Sequence, residues 1–345
     1  MSRDVLILAP RLDTMFKKGP VPNARGPIPP IRIPWKNFVK NVAAVHTKRG
    51  DNVRIIELPL WQFSPSTVMQ FKPDLAYIPH KQKAQFSCPN IPVRYYMQMV
   101  FPWMFSVDPK GWCAGADHWP IDPHPDPKTS HFLDLQKRTW RNESKFAQPA
   151  PDPLANEKLP SDPFLFFPCQ IPHDETIKYH SNVEVIQALQ ATIDFGKHIG
   201  MQVVVKSHPV NPGSMEALKA VTKQNGNAIW VDNISIHDIL RRCHSVFTVN
   251  SGVGMEALLH NKPVYLFGRS DYQSVCYFVG EPTVESIERH WLNNSKLAHL
   301  YPGFIHEYME THYNTEDPAD FDKLPDSPTK ELREMVHMHN KRVVD

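Results

Sequence analysis

Between Asp162 and Gly268, short apolar runs alternate with stretches of helical period. "FLFFPCQ", "MQVVVKSHP", "NAIWVD", "SVFTV" and "VYLFG" have the length and the branched or aromatic content of buried strands. Between them lie "SNVEVIQALQATIDFGKHIG", "GSMEALKAVTKQNG", "SIHDILRRC" and "GMEALLHN", which carry apolar residues at amphipathic spacing. The first of these helices is expected to be capped at Ser181 or Asn182 and to end at Gly200. Strands separated by helices cannot pair through tight hairpins, so they are expected to run parallel in one sheet. The pattern βαβαβαβαβ predicts a doubly wound unit.

The first half follows the same grammar less regularly. Val5 to Ala9, "NVRIIELP", "DLAYIPH" and "VRYYMQMVFPW" read as strands, and "WKNFVKNVAAVHTKRG" reads as a helix stopped by Gly50. The 34 prolines gather in Lys17 to Trp35 and in Trp119 to Pro163. Proline removes a donor and disfavours helix before it, so both stretches read as loops or linkers. The expected organisation is therefore a Rossmann-like domain over 1–145 with a proline-rich insert, and a linker over 146–161. A second Rossmann-like domain over 162–280 and a helical tail over 281–345, including "TKELREMVHMHNKR", complete it. The fold class is α/β.

Composition narrows the function classes. Apolar residues make up 41%, enough for sizeable cores and too many for a disordered chain. Formal net charge is +2 and no long Lys/Arg run occurs, so a nucleic-acid partner is not expected. No apolar stretch is long enough to span a bilayer, and "MSRDVLILAPRLD" lacks the parts of a signal peptide. A cytoplasmic location is expected, with peripheral attachment to a membrane left open. Cys88, Cys113, Cys169, Cys243 and Cys276 lack CxxC spacing and read as reduced thiols.

In an open α/β sheet, ligands bind beyond the carboxyl ends of the strands. Four tips of the second half are polar: Gln170 to Glu175, Lys206-Ser207-His208-Pro209, Asn250-Ser251-Gly252-Val253-Gly254 with Glu256 just beyond, and Arg269 to Tyr272. Ser251 and the following amides open a helix, which suits an anion such as phosphate. Gly252 and Gly254 would let a ligand approach the backbone. Glu256 can accept from ribose hydroxyls or a base, Lys206 supplies a cation, and His208 can neutralise or protonate a leaving phosphate. Asp174 can act as base or nucleophile. Further donor contacts are expected from Gln170, His173, Arg269 and Tyr272.

Each residue also has a structural reading. Ser-Gly-Val-Gly makes a tight turn, Glu256 complements a helix dipole, His208-Pro209 stops a strand, and Asp174 caps a helix. All four would have to hold at one edge of one sheet. A rival set, His118, Asp122, His124 and Asp126, has metal-ligating side chains but sits in an extended proline-rich loop. It reads as surface loop, and no metal is assigned.

The "KSHPVNPG" and "TVNSGVGMEALLHNKPVYLFGRSDY" segments resemble the capsule polysaccharide biosynthesis proteins, which include retaining β-Kdo transferases. The family pattern has a Lys-x-His-Pro strand end and a Ser-x-x-Gly-(Phe/Met)-Glu-Ala-Leu-Leu-x-x-Lys-Pro-Val run ending in Phe-Gly. Here these are Lys206 to Pro209 and Ser251 to Gly268. The family's Thr-Gly pair after the first strand is absent, as is its Tyr-Ala-Gly-Trp-Gly continuation. The resemblance implies a GT-B-like fold, two facing Rossmann-like domains with parallel sheets, and a nucleotide sugar held mainly by the second. It implies that Lys206, Ser207, His208 and Pro209, with Asn250 to Gly254 and Glu256, bind the nucleotide, and that Asp174 acts at the anomeric carbon. The expected activity is transfer of a sugar from a CMP-, UDP- or GDP-linked donor, CMP-Kdo among them, to a glycan or glycolipid acceptor, with no further cofactor. The alternatives are a nucleotide-sugar 2-epimerase, a non-catalytic glycan-binding protein on the same fold, and a metal-dependent hydrolase built on His118 and His124.

Overall fold

A computed structural model of the chain describes residues 2–10, 33–59, 62–141, 143, 145–146, 148–149, 159–209, 212–291 and 297–325. The chain divides into two units, one formed by Met1–Trp112 with His312–Asp345, the other by Cys113–Thr311.

In the first unit, β1 (Asp4–Pro10) runs parallel to both β2 (Asn52–Leu58) and β3 (Leu75–Pro79), and β3 runs parallel to β4 (Val93–Gln98). Two antiparallel strands, β5 (Met104–Asp108) and β12 (Tyr313–Asn314), extend that edge. The sheet order is β12-β5-β4-β3-β1-β2. The expected wholly parallel sheet is thus mixed here. "VRYYMQMVFPW" is not one strand, because the chain turns at Met99–Trp103 and pairs with itself.

The apolar run of β1 is continuous because both of its faces are covered. Val5, Ile7 and Ala9 join the cluster under α1 (Ile33–Lys48), whose Trp35, Phe38, Val39, Val42 and Val45 recur at helical spacing. Leu6 and Leu8 join a second cluster with Val68 of α2 (Pro65–Phe71). Phe38 stacks on both Tyr96 and Phe105, at 4.5 and 4.6 Å between ring centroids. Beneath this core, His46 is buried. Its Nδ1 lies 2.7 Å from Asp51 and its Nε2 2.9 Å from the Tyr77 hydroxyl, and Arg3 closes on the same carboxylate.

The second unit carries the predicted doubly wound sheet. Its strands are β6 (Phe164–Pro168), β7 (Gln202–Lys206), β8 (Ala228–Val231), β9 (Ser245–Thr248), β10 (Val264–Leu266) and β11 (Tyr277–Phe278). They lie in the order β11-β10-β9-β6-β7-β8, and every pairing is parallel. The order reverses between β6 and β9, where such sheets open a crevice.

After β6 comes α4 (Glu175–His180), the short helix that the capping reading of Asp174 called for. Then follow α5 (Val185–His198), α6 (Glu216–Gln224), α7 (Ile236–Arg242) and α8 (Gly252–Leu258). Ser181 ends α4, and α5 is capped by Glu184 in a reciprocal box with Gln187. Leu165, Phe167, Val203, Val205, Phe247 and Leu189 anchor the core of this unit. Each such side chain contributes about 2 kcal/mol by leaving water.

The division differs from the expected boundary at 145. Residues from Cys113 onward belong to the second unit, because α3 (Thr129–Trp140) packs on α10 (Tyr301–Thr311). Lys128 N donates to His306 Nδ1 there, at 2.7 Å. The stretch expected to be a tail is also divided. The helices α9 (Val284–Trp291) and α10 stay with the second unit, whereas β12 joins the first, and Thr315 donates to the Trp103 carbonyl. "TKELREMVHMHNKR", most of the Lys17–Trp35 insert and residues 150–158 of the linker lie outside the described residues. The five cysteines are buried with free thiols. No helix among the described residues is long and apolar enough to cross a membrane.

Candidate functional site

The predicted site residues gather at the carboxyl edge of four adjoining strands, β10-β9-β6-β7. The structure separates them into a buried layer that fixes the tips and a layer that reaches solvent.

The buried layer centres on Gln170, just past β6. Its Oε1 accepts from the Thr248 hydroxyl at 3.0 Å and from Asn250 N at 2.9 Å, and its Nε2 donates to Asn250 Oδ1 at 2.9 Å. Asn250 Nδ2 donates in turn to the carbonyls of Thr176 and Arg269, at 2.9 and 3.3 Å. Gln170 and Asn250 therefore clamp the tips of β6, β9 and β10 at the reversal of strand order. They were expected to touch a ligand, and the structure shows both side chains hydrogen-bonded to each other and to neighbouring protein groups.

The glycine motif is likewise used from within. Ser251 caps α8, its hydroxyl accepting from Val253 N at 3.2 Å. Tyr272 is buried, and its hydroxyl donates to the Ser251 carbonyl. A Cβ at Gly254 would lie 2.8 Å from Tyr272 Cε2, so this glycine makes room for the tyrosine ring and not for an approaching ligand. Gly252 and Val253 stay half-exposed beside Ser251, whereas Glu256 is buried at 8% exposure.

At the β7 tip, Lys206 is 4% exposed and its Nζ donates to the Asp232 carbonyl at 3.0 Å. Burial lowers its pKa, and the charges of Asp232 and Cys169 oppose that shift. The Asp232 carboxyl is pushed up by burial, but hydrogen bonds from Ser207 and Trp230 outweigh this and hold it below its ordinary value. Lys206 and Ser207 thus tie β7 to the loop after β8. His208 and Pro209 reach further out, half-buried and exposed.

Asp174 caps α4. Its Oδ1 accepts from Thr176 N at 2.8 Å and from the Thr176 hydroxyl at 2.6 Å. It is half-buried, with exposed His173 beside it. Arg269 is exposed, and its backbone N–H donates to the carbonyl of His180 at 2.9 Å. His180 is buried and held near 4, by burial first and then by the Arg269 charge, so it stays neutral.

The surface available to a ligand at this edge is therefore His173, Asp174, His208, Ser251, Gly252, Val253 and Arg269. Imidazole, guanidinium, hydroxyl and amide groups together suit an oxygen-rich anion, and one carboxylate stands among them. Sequence reasoning missed Thr248, Thr176, Lys145 and Phe146. Phe146 packs edge-on against His208 at 5.3 Å, and Lys145 feels the charge of Asp174. No spacing signals a linker residue as part of a site.

The rival histidines lie elsewhere in this unit. His124 accepts from Asp126 N at 3.1 Å and stacks on His306 at 4.5 Å. Among the described residues, no group of three or more metal-ligating side chains comes together.

The family model described as capsule polysaccharide biosynthesis protein matches residues 137–313, more than half of the chain. The capsule polysaccharide modification protein LipB of Neisseria meningitidis is 26% identical over 120 residues, which are 32% of this chain and 29% of that protein. The capsule polysaccharide export protein KpsS of Escherichia coli is 26% identical over 113 residues, 30% of this chain and 29% of that protein. The match thus spans about three-tenths of the length of these curated relatives. Among solved structures, the chain is similar to Thermosulfurimonas dismutans KpsC, described as a beta Kdo 2,7 transferase. That match has 15% identity and a TM-score of 0.46, over 78% of this chain and 80% of that one.

Proposed function

The chain belongs to the capsule polysaccharide biosynthesis protein family, and from that premise we propose that it is a GT-B-type glycosyltransferase. It moves a sugar from a nucleotide-activated donor to a glycan or glycolipid acceptor, and a CMP-linked donor of the Kdo kind is the first to test. One observation carries the reading. The tips of four adjoining parallel strands present His173, Asp174, His208, Ser251 and Arg269 along one edge, at the reversal of strand order.

In this reading His208, Arg269 and the Ser251–Val253 segment meet the phosphate of the donor, and Glu256 supports that segment from behind. Negative charge on the leaving nucleotide is then met by protein groups, so no resident metal forms part of the proposal. If configuration is retained, the Asp174 carboxylate attacks the anomeric carbon. The nucleotide phosphate departs with the bonding electrons, and an acceptor hydroxyl, passing its proton to the departed phosphate, then displaces the carboxylate.

The test is thermal-shift screening of the wild type and His208→Ala against CMP, UDP, GDP, ADP and dTDP. A ligand that binds only the folded state raises its melting temperature. The expected result is one nucleotide that stabilises the wild type and stabilises His208→Ala much less. A wild type that responds to none would overturn the proposal. A conversion of nucleotide sugar that needs no acceptor would replace it with epimerisation.

A further inference from the structure

The proline-rich loop that begins at Trp119 reads as surface, yet its first residues fasten the tip of β10. Trp119 Nε1 donates to the Ser270 carbonyl at 2.8 Å. That carbonyl also closes a turn, accepting from Gln273 N at 3.3 Å. Two residues beyond Trp119, the Ile121 carbonyl accepts from the Ser274 hydroxyl. Ser270 is 1% exposed, so water offers no replacement for the indole N–H.

The same tip belongs to the candidate site. Arg269 N donates to the His180 carbonyl at 2.9 Å, and Asn250 Nδ2 donates to the Arg269 carbonyl at 3.3 Å. The Ser270 hydroxyl donates to Asp271 Oδ1 at 3.0 Å, and the Tyr272 hydroxyl donates to the Ser251 carbonyl. Arg269 itself is exposed, with Nη2 3.5 Å from the Tyr179 carbonyl.

We propose that Trp119 is a positioning residue of the donor site: through the Ser270 carbonyl it fixes the backbone from which Arg269 meets a phosphate of the sugar nucleotide. The inference rests on the glycosyltransferase reading of these strand tips and adds a residue that acts only through Arg269.

The chemistry of the pair favours this role. A guanidinium meets phosphate through a planar fork, and a two-point fit depends on its direction. The bond from Arg269 to Tyr179 is long, so that direction is set largely at the backbone. His180 and Asn250 hold the peptide groups of Arg269, and Trp119 holds the next carbonyl. Phenylalanine in place of Trp119 keeps an aromatic ring and removes the donor. The Ser270 carbonyl then keeps only the longer bond from Gln273, and the turn that follows Arg269 loosens. The competing role is stability alone, a loop tied down for packing with no effect on a ligand.

The experiment is calorimetric titration of the whole chain with whichever of CMP, UDP, GDP, ADP and dTDP stabilises the wild type, and separately with its nucleoside. Wild type, Trp119→Phe, Arg269→Ala and the double variant are compared, because such a cycle isolates the coupling between two residues. Loss of a charge-assisted contact weakens nucleotide binding about tenfold in Arg269→Ala, and loosening it weakens binding about fivefold in Trp119→Phe. The double variant binds within about twofold of Arg269→Ala, and nucleoside binding stays at the wild-type value throughout. Trp119→Phe that binds the nucleotide within about twofold of wild type overturns the assignment while leaving the transferase reading standing. Losses that multiply in the double variant, an equal loss of nucleotide and nucleoside, or a Trp119→Phe chain that no longer melts cooperatively assign the indole to stability and likewise overturn it. A wild type that binds no nucleotide overturns both readings together.

Discussion

Gly254 has no space for a side chain, because the ring of Tyr272 fills it. Gly254→Ala should therefore cost about 1–3 kcal/mol, as overpacking of a filled site does. The measurement is the urea midpoint at unchanged slope. An alanine variant that unfolds with the wild type would mean the ring does not sit there. The same pair of residues shows what a sequence hides at this scale. Glycine after a strand looks like room for a ligand, but the occupant comes from the next strand tip. Gln170 and Asn250 look ligand-facing for the same reason. Their mutual hydrogen bonds join positions 80 residues apart, and nothing local in the chain announces such a pairing.

Asp174 is where element and chemistry meet, since one carboxylate both starts α4 and stands at the edge of the crevice. The two roles separate by substitution. Asparagine caps a helix about as well as aspartate, whereas alanine costs about 1 kcal/mol. Asp174→Asn should keep the melting temperature of the wild type and lose transfer activity, and Asp174→Ala should lose both. An Asp174→Asn protein with unchanged turnover would leave the residue as a cap alone.

Other elements were legible in proportion to their regularity. β6 to β10 and α5 to α8 follow from period and length, because each buries a continuous face. β12 is two residues long and carries no period at all. The turn that divides "VRYYMQMVFPW" lies inside an apolar run and carries Pro102, a turn residue that the single-strand reading passed over. α4 is a short helix with a proper cap, but its sequence "ETIKYH" is too brief to show an amphipathic face.

At the scale of the whole molecule, the chain's return to the first unit could not be read, because it depends on which sheet edge β12 finds. The distribution of buried imidazoles is a second property of the whole, and it sets the response to acid. His180 and His237 are both held near 4 by burial first, with Arg269 and Arg241 adding to the shift, and His46 is also lowered. An unfolded histidine takes up a proton near 6.5, and these folded ones do not. Between about 6.5 and 4 the unfolded state therefore binds more protons, and stability falls as pH falls. The limiting slope is about 1.4 kcal/mol per pH unit for each imidazole.

Asp51 belongs to a different window. Burial pushes its carboxyl up, but hydrogen bonds from Arg3 and His46 outweigh this and hold it at about 2. Its contribution is complete above the ordinary carboxylate value and is lost only as pH drops toward 2. Urea unfolding at a series of pH values from 7.5 to 4.5 should thus show a loss that begins near 6.5. From pH 7.5 to 5, His180 and His237 together account for on the order of 3 kcal/mol. His237→Gln should reduce the slope by about one proton, because glutamine has nothing to protonate. Stability that stays level across this range would mean that the imidazoles accept charge where they sit.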